Sequence, residues 1–253
     1  MLSNVFNEDA WYRELVDDYR DLRVDELPSG IASGCEFGSV CINTALYLPW
    51  LVGQCRANGV TFHRKSLTHI MEIRSLEHDG PEVDVVINAT GLSAGKLGGV
   101  LDKTVYPIRG QTVVVRNVAP YMAVQSGTDD GDDQACYMMT RASGGGTILG
   151  GTMQPGCWKS EPDQDTAELI LKRAVSLVPE LTDGRGIEHF DIIRHGVGLR
   201  PGREAGVRLE KEKVEGIWVV HNYGHAGWGY QGSFGCAEEV VDLVNGISRQ
   251  SKL

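Results

Sequence analysis

The sequence has no C-x-x-C pair, no uninterrupted apolar run of membrane-spanning length and no excess of basic charge. Each absence removes a class of function. The six cysteines (Cys35, Cys41, Cys55, Cys136, Cys157 and Cys236) stand apart in mostly apolar surroundings. Reduced, structural thiols are therefore expected, rather than a disulfide framework or a zinc site. The best apolar stretch, Ala45 to Val52, is interrupted by Pro49 and falls short of the roughly 18 residues that a membrane helix requires. A net charge of −10 and a pI near 5.2 argue against a surface that tracks nucleic-acid phosphates. The opening segment, NEDAWYRELVDDYRD from Asn7, is acidic and amphipathic, unlike a secretory or mitochondrial signal. Low-complexity tracts and repeats of solenoid period are also missing. The acidic run Asp129-Asp130-Gly131-Asp132-Asp133 lacks the closing glutamate of an EF-hand, so it reads as a solvated loop and no metal is expected.

What is present is a chain of 253 residues, 42% apolar, long enough for one large or two modest cored domains. A short helix is expected from about Glu8 with Asn7 as its N-cap, then a strand near Phe37 to Ile42. Pro49 to Ala57 reads as a helix with proline in its first turn, closed by Asn58-Gly59. Val60 to Ser66 and Val83 to Asn88 read as strands, the second apolar throughout, as a parallel strand buried on both faces would be. Val105 to Arg116 is a long strand candidate. Cys136 to Arg141 and Thr147 to Gly150 flank Ser143-Gly144-Gly145-Gly146 as a hairpin. Asp163 to Val178 is an amphipathic helix with acids in its first turn, and Ile187 to Leu199 returns as strand before Pro201-Gly202.

The densest signal lies near the end, in VVHNYGHAGWGYQGSFGCA (Val219 to Ala237). A β-branched run, Ile217 to Val220, enters a loop with five glycines in twelve residues, and helical pattern resumes from about Gln231. Glycine permits close approach of backbone to a ligand. A helix that starts behind such a loop aims free N–H groups and its positive dipole end at whatever lies there. The embedded G-x-G-x-x-G (Gly227 to Gly232) does not open a complete dinucleotide unit, because only one helix follows it before Leu253.

Read as a whole, this stretch resembles the signature of the D-amino-acid oxidase family: two aliphatics, His221, Asn222, Tyr223, Gly224, then Ala226, Gly227, Gly229, Gly235 and Ala237. Val85 to Gly91 (VVINATG) is similar to the family's third-strand exit. Pro107 to Gln111 (PIRGQ) is similar to its entry to the substrate domain, and Val197 to Pro201 (VGLRP) to its arginine-bearing strand. The resemblance implies a mixed α/β fold: an incomplete FAD-binding, Rossmann-like layer (41–103 and 190–247) and a strand-rich, largely antiparallel substrate domain (1–40 and 104–189). Residues 248–253 would form a tail. Members of the family open with a strand, G-x-G-x-x-G and helix that hold the FAD pyrophosphate. This sequence has no such opening, and Met1 corresponds to a point about a hundred residues into the family.

The resemblance also implies roles. Arg200 would hold the substrate α-carboxylate as a bidentate fork and lie beside the flavin, and the Tyr137 hydroxyl would meet the same carboxylate. The Gly227 carbonyl would meet the substrate amine. Ala226, Gly227, Gly229, Tyr230 and Gln231 would line the flavin's pyrimidine edge, with a helix N-terminus aimed where charge collects on reduction. Leu67 would contact the adenine through its backbone. Met153 stands where some relatives carry a second substrate tyrosine, which shifts carboxylate binding toward Arg200. His221 and His225 read as structural rather than as general bases, since the family's reaction is implied to be direct hydride transfer that depends on orientation, and no acid is spaced to tune them.

The expected activity is FAD-dependent oxidative deamination of neutral D-amino acids to 2-oxo acids and ammonia, with dioxygen reduced to hydrogen peroxide. D-Aspartate oxidation is the alternative within the family. A non-catalytic product that cannot hold FAD is the alternative outside it. The terminal Ser251-Lys252-Leu253 is the tripeptide read by the peroxisomal import receptor, which places the protein in the peroxisome matrix. Neither nucleic acid nor membrane is expected as a partner, and a homodimer is left open.

Overall fold

The computed structural model describes residues 10–76, 83–126 and 134–250. Asn7 and Glu8, the acidic run 129–133 and Ser251-Lys252-Leu253 lie outside them. In chain order the elements are β1 (Asp17–Asp21), β2 (Cys35–Gly38), α1 (Thr44–Ala57), β3 (Val85–Asn88), β4 (Val105–Val115), β5 (Ala123–Gln125), β6 (Gln134–Thr140), β7 (Thr147–Thr152), β8 (Gln154–Pro155), α2 (Gln164–Leu177), β9 (Ile192–Arg203), β10 (Arg208–Val214), β11 (Ile217–Tyr223) and α3 (Ser233–Gln250). Two compact units emerge. The first is Met1–Thr61, Gly110–Met153 and Ser160–Gly198; the second is Phe62–Arg109, Gln154–Lys159 and Leu199–Leu253. Strands β4 and β9 each begin in one unit and end in the other.

In the first unit, β5, β6, β7 and β4 are neighbours in one antiparallel sheet, and β9 also pairs β4. The β6–β7 hairpin forms where the glycine run predicts it. Gly144 and Gly146 have φ of 76° and 72°, a region costly for residues with a Cβ. A Cβ on Gly146 would also strike the Val115 carbonyl. Alternation along β6 sends Cys136 and Met138 into the core and leaves Tyr137 and Met139 on the other face.

Helix α2 covers the core face with Ala167, Ile170, Leu171 and Ala174, the i, i+3, i+4, i+7 stripe its sequence predicts. Each large aliphatic buried there contributes about 1.5–3 kcal/mol. The helix start is fixed twice. The Asp163 carboxylate accepts from Thr166 N at 2.8 Å, a capping bond. The fully buried Gln111 on β4 accepts from Asp163 N at 2.9 Å and donates to Asp163 O at 2.6 Å. Gln111 belongs to the PIRGQ motif, so that motif anchors the helix.

In the second unit, the sheet order is β10-β11-β3, with β11 antiparallel to β10 and parallel to β3. Helix α3 packs on β11 and β10. A small apolar cluster of Ile70, Met71, Leu97 and Val219 lies in this unit. The other end of PIRGQ is here: buried Arg109 donates to the Gln154 side chain at 2.8 Å and to Lys159 O at 3.0 Å, holding β8 and the segment after it against β4.

Several expectations need correction. Residues 11–15 form turns followed by strand β1, with no helix among the described residues. The second strand ends at Gly38, short of Ile42. Helix α1 starts at Thr44, capped by the Asn43 side chain, which accepts from Ala45 N at 3.3 Å. Pro49 is therefore interior, and the cap signal outweighed proline's usual place in the first turn. Val60 to Ser66 forms no strand; its alternation has no neighbour to pair with, and Val60 and Phe62 stay exposed. Strand β3 is parallel as expected but not buried on both faces. It is the outer strand of its sheet, and Ile87 is 48% exposed. A 3-10 turn takes Ile187–His189, and β9 runs on through Pro201 to Arg203.

Candidate functional site

The second unit brings three of the sequence motifs together. Strand β11 ends at Tyr223. Gly224 then turns with φ of 89°, and a Cβ there would press on Arg203 Cβ at 3.0 Å. Ala226 holds φ of 49°, a left-handed conformation unfavourable for a residue with a Cβ. Its N–H donates to Pro201 O at 2.8 Å, which secures the loop onto β9 one residue from Arg200. A Cβ on Gly227 would lie 3.8 Å from Arg200 Cδ, so Gly227 and Arg200 are immediate neighbours. Gly91, at the exit of β3, backs Pro201 from another side; a Cβ there would sit 3.6 Å from Pro201 Cβ. Arg200 itself is half-buried.

Beyond Gly227 the loop is open. Trp228 and Tyr230 are 56% and 48% exposed, Gln231 is exposed and Gly229 is half-buried. Gly232 N donates to Trp228 O and the Ser233 hydroxyl to Tyr230 O, winding the chain into α3. The backbone of 226–231 and the first turn of α3 thus form one exposed surface beside Arg200, with the helix dipole favouring electron-rich groups there.

Below the loop lies a buried polar network that the sequence did not announce. Asn88 Oδ1 accepts from Thr90 N and Oγ1, which orients its amide nitrogen toward His221 Nδ1 at 3.0 Å. Nδ1 must therefore accept, and Nε2 carries the proton toward Glu212 Oε1 at 2.9 Å. His221 is fully buried, and burial together with the nearby Arg208 charge pushes its pKa down despite Glu212. An acid does reach this histidine, contrary to the spacing argument: Glu212 arrives across the β10–β11 hairpin. The Glu215-Gly216 turn, with φ of 46° and 88°, was the signal that could have found it. His225 is half-buried, and burial lowers its pKa as well.

The network continues through Arg208, which donates to Glu212 at 3.0 Å and to the Tyr223 hydroxyl at 3.0 Å. Tyr223 in turn donates to Asp102 Oδ2 at 2.8 Å, where Arg203 Nε also donates at 2.8 Å. Burial alone would raise the Asp102 pKa, but hydrogen bonds from Thr104, Arg203 and Tyr223 outweigh it and hold the carboxyl well below the usual range.

The remaining named residues stand elsewhere. The Leu67 side chain packs on the Ile70–Val219 cluster. Tyr137 belongs to the first unit. It is half-buried on the sheet face away from α2, opposite Gly150 on β7, and a Cβ on Gly150 would fall within its ring. Glycine at 150 is what admits the tyrosine. Met153 is half-buried and ends the Gly110–Met153 segment of the same unit.

Residues 8–243 match the family model described as FAD dependent oxidoreductase. The chain belongs to this family. It is 51% identical to a D-amino-acid oxidase of Fusarium vanettenii over 98% of its own length and 69% of that protein's. It is 36% identical to a D-aspartate oxidase of Talaromyces thermophilus over 92% of its length and 60% of that protein's. The chain thus spans between 60% and 69% of these curated relatives. The crystal structure of glycine oxidase from Geobacillus kaustophilus superposes on 93% of the chain and 65% of its own with a TM-score of 0.65 at 22% identity, which agrees in fold.

The cofactor of the family is FAD, and the loop fits it. At Gly227 and Gly229 a Cβ would meet protein atoms only at 3.8 and 3.6 Å, ordinary contact distances. Among the described residues no neighbour demands glycine there, and the bare backbone leaves room for a group approaching from outside. The buried Asn222 Oδ1 also has no partner. Ala226, Gly227, Gly229, Tyr230 and Gln231 make up this stretch of loop, with Gly227 beside Arg200.

Proposed function

We propose that this chain carries the substrate- and flavin-edge machinery for oxidative deamination of D-amino acids. The single observation behind this reading is the placement of Arg200 against Gly227, with Ala226 tied to Pro201. An arginine and a bare stretch of backbone side by side suit the two ends of an α-amino acid: carboxylate on the Arg200 guanidinium, ammonium on the Gly227 carbonyl. On the resemblance we add Tyr137 as a further donor to the carboxylate and the Leu67 backbone as the adenine contact. We assign residues 41–103 and 190–247 to FAD binding and residues 1–40 and 104–189 to substrate binding.

FAD, when bound, accepts the two electrons released as the substrate Cα–N bond becomes an imine. The chain's residues orient and desolvate. His221 cannot act as a base, because its one accepting nitrogen is occupied by Asn88 and it is sealed from solvent. Hydrolysis of the imine gives the 2-oxo acid and ammonia, and dioxygen takes the electrons to form hydrogen peroxide. On the strength of Ser251-Lys252-Leu253 we place this chemistry in the peroxisome matrix, reached through the import receptor.

The test is a purified chain with added FAD, read for a bound-flavin spectrum and for turnover of D-alanine and D-aspartate. Preference for D-alanine supports the reading; preference for D-aspartate moves it to the alternative that the Talaromyces relative suggests. Arg200→Ala should remove turnover by a factor on the order of a thousand while flavin stays bound. A colourless protein, or an Arg200→Ala variant with unchanged turnover, refutes it.

A further inference from the structure

We infer that Asp102 is a positioning residue: one buried carboxylate clasps the ends of β9 and β11 together and thereby sets the distance between Arg200 and the Gly227 backbone. The inference rests on the proposed amino-acid site but not on any contact of Asp102 with substrate.

The geometry is specific. The two site elements reach the loop from different strands, Arg200 three residues before the end of β9 and Gly227 four residues after the end of β11. Among the described residues no ladder pairing joins those strand ends, since β11 pairs β10 and β3. The Ala226 N–H to Pro201 O bond ties the loop to β9, and Asp102 adds a side-chain join at the strand ends themselves. Its Oδ2 accepts from Arg203 Nε at 2.8 Å and from the Tyr223 hydroxyl at 2.8 Å, one donor from each strand end. Its Oδ1 accepts from Thr104 N at 3.0 Å and Thr104 Oγ1 at 2.6 Å, which fixes the carboxylate plane. Its backbone N–H donates to Ala94 O at 3.1 Å, in the 3-10 turn Gly91–Gly95 whose first residue backs Pro201. The Asp102 side chain is 6% exposed and that of Arg203 17%, so water does not loosen the pair.

Donor direction is also determined. Arg208 can only donate, so the Tyr223 hydroxyl accepts from it and spends its own proton on Asp102. Both lone-pair positions facing the strands are therefore filled by obligate donors. A charged acceptor is required at 102, and an amide nitrogen would meet two donors instead. Arg200 lies on β9 and Gly227 follows β11, so a shift of either strand end changes the Arg200–Gly227 spacing first.

Two variants test the clasp, each read in two ways on the full chain. In Asp102→Asn, the Ala226 amide, whose acceptor is Pro201 O, should lose hydrogen-exchange protection by at least roughly tenfold, while amides of the β10–β11 ladder and of α2 keep theirs. Tyr223→Phe, which removes one of the two donors and leaves the Asp102–Arg203 ion pair in place, should show the same local loss at smaller size. With added FAD, D-alanine KM should rise at least roughly tenfold in Asp102→Asn with a smaller fall in kcat, as expected for misplaced binding groups. Unchanged Ala226 protection in both variants, or protection lost uniformly across the second unit, overturns the clasp. If the unmodified chain turns over no D-amino acid, the proposed function fails, and the exchange measurement still decides the clasp.

Discussion

Among the described residues both units bury apolar side chains and the first also buries the neutral Gln111 and Thr147, but the nearly buried charges gather in the second. In the first, Ile170, Met138 and Leu149 are at most 1% exposed and meet one another across the α2–sheet interface. In the second, the fully buried places include His221, and the nearly buried ones Asp102 and Arg208, joined by donors and acceptors rather than by apolar contact. Non-directional burial tolerates small displacements of its parts, which suits a scaffold. Hydrogen-bonded charges tolerate few, because a partner lost inside leaves an uncompensated group. The polar network joins the ends of β9 and β11, the strands that lead to Arg200 and the 226–231 loop.

The sharpest way to break the comparison is to remove apolar volume from the first unit. Ile170→Ala takes out a side chain that is 1% exposed, and the cavity should cost about 2–5 kcal/mol. Exchange protection of α2 and β6 should fall by the corresponding factor while β11 amides in the second unit hold theirs. Equal loss in both units would show that they unfold together and that the contrast has no energetic meaning. A smaller effect of the same kind comes from the helix start. Asp163→Ala removes the cap on Thr166 N and should cost about 1 kcal/mol, read in urea unfolding monitored by helix signal. The Gln111 clamp on the Asp163 backbone survives that change, so a loss several times larger would mean that Gln111 depends on the cap.

The same contrast explains what could be read from the chain. Elements set by local pattern were legible: β4, the Ser143–Gly146 hairpin, α2, and β11 running through the glycine loop into α3. Each has its periodicity and its stop signals within one short window. The Val219 to Ala237 signature also marked the glycine loop, and Gly227 does lie beside Arg200. What pattern could not show was anything made across strands. Val60 to Ser66 alternates like a strand, but alternation does not supply a neighbour. β10 carries no motif of its own; only its register sets Glu210 opposite His221 and brings Glu212 within reach of the ring. Asp102 has no motif at all; its role exists only because Arg203 and Tyr223 end beside it.

Acidification is the mildest probe and should act on the units unequally. Folded His221 has a lowered pKa, first from burial and then from Arg208, and His225 is lowered by burial; both belong to the second unit. A group whose folded pKa lies below its unfolded value, about 6.5 for histidine, binds fewer protons folded than unfolded. Its contribution is therefore present above about pH 6.5 and is lost as pH falls through the folded pKa. In the first unit the lowered group on α2 is Glu168, held down by Lys172, and its window opens only below about pH 4.3. Between pH 7 and pH 5, exchange protection corrected for intrinsic rate should fall for β11 amides and stay level for α2. The change should be the smallest of the series, because Glu212 and Glu210 oppose burial at His221 and limit how far its pKa can drop. A parallel fall in both units would place the acid-sensitive groups elsewhere and remove His221 from the account of how the second unit is held.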